Sequence, residues 1–326
     1  MKVIILLINF IVIISSNFIL ASELTISSPK TLDSLPSASG IVNISGKIFA
    51  IGDDSPELFT LNKHFQVVEK LRITRHKIVK DGRVPKNLKP DFESMDVQII
   101  DGKTSFVILG SGSKRHTREK GFVIAHDGSF KIERNLSPLY ERIRQVGQFN
   151  TNQEVNIEGL ASSKEKVFIL NRGNSGPNMI FEVDKSDFER FITGKTESID
   201  RIVPYLIKLP KIGGIESGLS GAAYNPISKN IFLTASVEAT EGSAYDDGKI
   251  LGSFVMELPV KSLIEGETVD LSHSAMLVSK DGKKLITKVE SITMSSPDMN
   301  SLSGILASDN DDGTSEFFDF TISGSE

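Results

Sequence analysis

Three glutamates lie in strand-like runs where a carboxylate is out of place. Glu158 sits in "VNIEGLASS" (155–163), Glu93 in "DFESMDVQI" (91–99) and Glu290 in "KVESITM" (288–294), each after an apolar residue and before a small one. A buried carboxylate needs a partner. Three of them brought together repel, so either their pKa values rise or a cation holds them. The chain has no Cys and five scattered His, so the ligand set is oxygen. Oxygen donors select Ca²⁺ or Mg²⁺ over zinc, and a flexible set of carboxylates, hydroxyls and carbonyls favours calcium.

The positioning elements come from a repeat. Two further segments match with Ser in place of Glu: "SASGIVNI" with Ser39 and "GLSGAAYN" with Ser220. The five aligned positions, Ser39, Glu93, Glu158, Ser220 and Glu290, are 54, 65, 62 and 70 residues apart. Each is followed by a second and a third short run rich in Val, Ile and Phe, and most by a fourth, bounded by Gly, Asp, Asn and Ser. That is strand chemistry with turn punctuation. Four strands per unit, repeated radially, predict an all-β fold, a β-propeller. Five blades are counted; a sixth would require a degenerate blade within residues 262–288. The last unit lacks its own fourth strand, and "ELTISSPKTL" (23–32) is available to close it and hide an edge. "LSPLYERIRQVG" (136–147) reads as a short helix or turn.

In such a blade the first strand lines the channel, so the five aligned positions ring one mouth, and the turn after strand two overhangs it. Those turns supply Asp53, Asn171, Arg172, Glu238 and Asp309. The metal ligands are therefore read as Glu93, Glu158 and Glu290, with Asp53, Asn171 and Asp309 next. The competing reading is structural: the Glu side chains bind channel water or cap backbone N–H groups between blades. The basic loop "SKRHTREK" (113–120) could clamp an anionic ligand or stand as a solvated tip. "SDNDDGTSEFFD" (308–319) resembles a calcium-binding EF-hand loop, but it begins with Ser and lacks flanking helices, so a strand-turn-strand is favoured. No G-x-S-x-G, H-E-x-x-H, P-loop or dinucleotide fingerprint is present.

After Met1-Lys2, residues 3–21 are almost wholly apolar, broken only by Asn9 and Ser15-Ser16-Asn17, and run into "FILAS" (18–22); this reads as a secretory signal cleaved after Ala21, before one propeller domain at 22–326. An uncleaved anchor is the alternative. With the signal removed, no membrane span is expected, and an exported, periplasmic or secreted protein follows. The formal charge is −5, which argues against bulk nucleic-acid binding.

The motifs "IGDDSPELFTLN", "DFESM", "NIEGL", "SGLSGAAY" and "SDNDDGTSEFFDFTI" together resemble an uncharacterised bacterial β-propeller family, distantly similar to the phytase-like, esterase-like propeller group. The resemblance spans roughly residues 30–322 and implies a propeller with a channel cation. "DDSPEL" (53–58) departs from the Asp-rich motif of calcium-dependent propeller phytases by Ser55 before Pro56. The expectation is an exported propeller binding a divalent cation, calcium, and a small anionic or polar ligand. As an enzyme it would be a metal-assisted phosphoesterase or esterase, with Glu158 as base and Arg172 or Arg115 stabilising developing charge. The alternative is a non-catalytic envelope scaffold contacting protein or glycan.

Overall fold

The computed structural model describes residues 23–75, 82–239, 248–296 and 302–324; the apolar N-terminal stretch read as a signal lies outside them. Among the described residues five sheets of four or more strands, each with an antiparallel four-stranded core, follow one another around the ring, and two short two-stranded hairpins accompany them. Blade one is Ala38–Ile44, Lys47–Gly52, Glu57–Leu61 and Val67–Arg72. Blade two is Phe92–Ile100, Lys103–Gly110, Lys120–Ala125 and Lys131–Asn135. Blade three is Ile157–Ser162, Lys166–Asn171, Met179–Asp184 and Val203–Lys208. Blade four is Gly218–Asn225, Asn230–Ala239, Lys249–Pro259 and Met276–Leu277. Blade five is Lys288–Ser296, Leu302–Asp309 and Ser315–Ser323, with Glu23–Ile26 as its outermost strand.

The N-terminal strand thus closes the ring, aligning Glu23 with Ser323 and Ile26 with Phe320. Each inner strand contacts the next, and blade five's returns to blade one's, so the circuit is complete. There is no sixth blade among the described residues. Within 262–288, Thr268–Asp270 adds to the outer edge of blade three, Met276–Leu277 completes blade four, and Ser279–Lys280 pairs with Lys283–Lys284.

The apolar residues sort into five clusters, one at each blade-to-blade interface. Alternation along each strand explains this. Ile169 faces the blade-two side while its neighbours Phe168 and Leu170 face blade four. The expected helix is Ser137–Val146, whose Leu139, Tyr140 and Ile143 seal the interface of blades two and three. A second helix, Lys185–Ile192, adds Phe188, Phe191 and Ile192 to the same core.

All five aligned residues occupy one backbone feature. At Ser39, Glu93, Glu158, Ser220 and Glu290 the register with the second strand skips a residue. Each is the extra residue of a β-bulge, which bends the strand and re-aims one side chain. The small residue that follows lets neighbouring inner strands approach. A Cβ on Gly221 would meet Ser291 Cα at 2.8 Å and Glu290 O at 2.9 Å.

Where the bulge carries Ser, it fastens blades. Ser220 Oγ donates to the Val289 carbonyl at 2.6 Å, the residue before the next bulge. Ser39 Oγ donates likewise to the carbonyl of Phe92, just before Glu93. Where the bulge carries Glu, a charged site is built instead.

Among the described residues no helix is long and apolar enough to cross a membrane.

Candidate functional site

Two linked charge clusters occupy the mouth at the bulge end of the inner strands. The first is centred on Arg172, in the turn after the second strand of blade three, and 3% exposed. Its guanidinium lies 3.5 Å from Glu158, 3.3 Å from Glu290 and 3.0 Å from Glu238. Burial opposes its charge, but Glu290, Glu158 and Glu238 outweigh that and hold the guanidinium protonated. Lys288 adds an ammonium 3.4 Å from Glu290 and 3.1 Å from Asp311. Asn156 Nδ2 donates to Glu158 Oε1 at 2.6 Å.

The second cluster spans blades one and two. Single ligand oxygens of Asp53, Asp91 and Glu93 all lie within 4.8 Å of one another. Lys89 reaches in, bonded to Asp53 and 2.8 Å from Asp91. Arg118 folds inward from the basic loop, its Nη1 donating to Asp91 Oδ2 at 2.7 Å and to Ser113 Oγ at 2.8 Å. Burial works against ionisation of Asp91, but Lys89 and Arg118 prevail and lower its pKa. Asp54 pairs with Arg83 beside this group. Asp53 Oδ1 and Asp54 Oδ1 are buried and accept no hydrogen bond.

The acids outnumber the bases. Among the described residues, nine carboxyls (53, 54, 91, 93, 158, 238, 290, 309 and 311) face five cations (83, 89, 118, 172 and 288). Four of the nine are pushed up in pKa. Burial raises Glu158 to about 8, with Arg172 opposing and Glu290 adding. Burial likewise raises Asp309 to about 8, Lys288 opposing and Asp53 adding. Asp54 rises to about 6 through burial and Asp53. Glu93 is raised well above the carboxylate range by burial, Glu158, Asp91 and Asp53. Part of the surplus of negative charge is thus met by protons, which a bound cation would displace.

The structure brings Glu93, Glu158, Glu290, Asp53 and Asp309 to this mouth. Asn171 is turned into its own loop: Oδ1 accepts from Asn156 N–H at 2.8 Å and Nδ2 donates to the carbonyls of Arg172 and Pro177. It holds the turn that aims Arg172 and is not free to ligate. Arg172 touches Glu158 as expected. Arg115 does not; it pairs with Glu141 at 3.5 Å on the neighbouring helix. Of the basic loop's two arginines, Arg118 is thus engaged by Asp91 at the mouth and Arg115 by Glu141 outside it. Residues 308–319 form two strands and a turn, with Asp312 Oδ1 accepting from Thr314 N–H at 2.8 Å, an Asx-type turn.

Sequence reasoning missed Lys89, Asp91, Arg83, Lys288 and Asn156. Asp91, Asn156 and Lys288 stand two residues before a bulge glutamate. The period of two along a strand signals them, but their types differ, so no repeat marks them.

Among solved structures, the chain is similar to glutaminyl cyclase of Myxococcus xanthus, at 10% identity over 93% of this chain and 97% of that one, with a TM-score of 0.49. It is also similar to the α-L-arabinofuranosidase PaAbf62A of Podospora anserina, at 10% identity, 92% and 97% coverage and a TM-score of 0.47. The arabinanase Arb43A of Bacillus subtilis gives 12% identity, 87% and 93% coverage and a TM-score of 0.44. No functionally curated protein matches the sequence. Residues 34–322, all five blades from the first inner strand to the last strand of blade five, match one family, and the chain belongs to it: DUF6929, a family of unknown function.

Proposed function

We propose that this chain is an exported propeller, periplasmic or secreted, whose channel mouth binds one divalent cation, calcium, together with a small polar ligand. The observation that carries the reading is the convergence of Asp53, Asp91 and Glu93 oxygens within 4.8 Å. The buried Asp53 Oδ1, without a hydrogen bond, supports a missing positive partner. All donors are oxygen, the preference of a hard cation. Lys89 now neutralises two of these carboxylates, so calcium entry requires its ammonium to swing outward. The acid excess disfavours a free anion, and an anionic ligand would bind only through the metal.

If the site catalyses, the supported chemistry is metal-assisted hydrolysis of a phosphoester or ester. Glu158, raised to about 8 by burial, holds its own proton at neutral pH and would serve as base only after a cation or a higher pH has removed it. Arg172 positions Glu158 and Glu290 through Nη1 and Glu238 through Nη2. One observation favours the alternative, a non-catalytic envelope scaffold: the protein's own cations already bridge the ring at Arg172, Lys89 and Lys288. A calcium titration by calorimetry, followed by p-nitrophenyl phosphate and acetate assays with and without chelator, tests both. Calcium binding with chelator-sensitive turnover supports the hydrolase; calcium binding without turnover leaves a binding protein; no binding overturns the cation site.

A further inference from the structure

A cavity of about 400 Å³ opens beside the mouth, between the helix Ser137–Val146 and residues 149–155. This is within the ordinary range for small-molecule sites, roughly 300–1,000 Å³. Its walls include Arg115, Glu141, Arg144, Gln145, Phe149 and Glu154, and Gly112 and Ser113 also line it. Ser113 connects it to the charge cluster, since its hydroxyl bonds Asp91 Oδ2 at 3.2 Å and accepts from Arg118. No role assigned above uses this cavity.

The polar groups of the wall are held in place. Arg144, 14% exposed in its side chain, is fixed by the buried Glu119 at 3.0 Å and by Glu141 at 3.6 Å. Arg115 reaches the same Glu141 at 3.5 Å. Glu154 accepts from Ser175 Oγ at 3.4 Å. Phe149 is clamped between two glycines: a Cβ on Gly147 would meet its ring at 2.6 Å and one on Gly176 at 2.9 Å. The wall charges balance, two guanidiniums against two carboxylates, with Glu119 behind Arg144. A free phosphate or carboxylate finds no net positive field here. Planar donors and acceptors beside one closely packed aromatic ring suit vicinal hydroxyls and the apolar face of a sugar ring.

We propose that this cavity is a binding site for a neutral, hydroxyl-rich ligand of mono- or disaccharide size. The inference rests on the mouth reading only for what lies beyond Ser113.

The test is saturation-transfer NMR on the purified protein, with and without calcium. The probes are glucose, galactose, N-acetylglucosamine and maltose; inorganic phosphate, which has no carbon-bound protons, is the anionic comparison and is followed by 31P line broadening in wild type and in the variants. Thr151, which is exposed and lines the cavity, is replaced in Thr151→Trp to fill it, and Gln145→Ala removes one wall amide. Transfer to at least one sugar is expected, with the dissociation constant raised about 10-fold or more, roughly 1.4 kcal/mol, in each variant at an unchanged melting temperature. Silence from every sugar, transfer equal in wild type and both variants, or phosphate binding at this cavity overturns it. Sugar binding without calcium binding leaves this site standing while the mouth reading fails; calcium binding with silent sugars does the reverse.

Discussion

Arg172 is the residue that makes three buried carboxylates compatible with a folded ring. It contacts Glu158, Glu290 and Glu238 from the interior of the mouth. Removing one partner of a buried ionic group costs about 3–5 kcal/mol, because the remaining charge is left uncompensated. Arg172→Met is therefore expected to lose about that much in urea unfolding at pH 7, and less at pH 5, where carboxylate protonation relieves the repulsion. Equal loss at both values would show that packing, not charge, sets its role. Glu158 makes the complementary case. Its folded pKa of about 8 lies above the ordinary 4.5, so between those values the folded chain holds a proton the unfolded chain has released. Its contribution is present below pH 4.5 and is lost as pH rises through 8. Glu158→Gln should flatten the decline in stability between pH 6 and 8 by up to one proton, about 1.4 kcal/mol per pH unit. A slope identical to wild type would place the shift elsewhere.

At the scale of elements, the bulges and the N-terminal strand do the positioning. Gly221→Ala would push a methyl against Ser291 Cα and the Glu290 carbonyl. A loss of about 1–3 kcal/mol is expected in denaturant unfolding; a neutral change would mean the inner strands have room to spread. Deleting residues 23–26 strips the outermost strand from blade five and uncovers its edge, so a lower melting temperature and concentration-dependent oligomers on size-exclusion chromatography are expected. An unchanged monomer would show that Lys30–Leu32, which also pairs with this strand, closes the ring alone. These elements were legible in sequence because each inner strand repeats the same bulge chemistry: a polar residue, then a small one. The partners were not. Positions two before the bulge read Ser37, Asp91, Asn156, Gly218 and Lys288, a set with no common type. Lys89 and Arg118 reach the mouth from loops of blade two, a placement that strand periodicity does not encode. Arg115 and Arg118, three residues apart, part company because the loop turns one toward Asp91 and the other toward Glu141.

For the molecule as a whole, five apolar interfaces form a rigid annulus, and the inner strands concentrate acids at one end of its channel. The field there is relieved by protons at neutral pH and would be relieved more strongly by a divalent cation. Calcium at 100 times its dissociation constant should add about 2.7 kcal/mol of stability. Calcium binding would have to expel protons from the raised carboxyls, so its affinity should increase from pH 6 to 8. The most direct measurement is calorimetric titration of calcium at these two pH values, in two buffers of different ionisation enthalpy, with wild type and Glu93→Gln. Stoichiometric binding is predicted, tighter at pH 8, accompanied by proton release and weakened in the variant. Absence of binding at millimolar calcium at both pH values, or binding indifferent to Glu93 and without proton release, would contradict a cation site at the mouth.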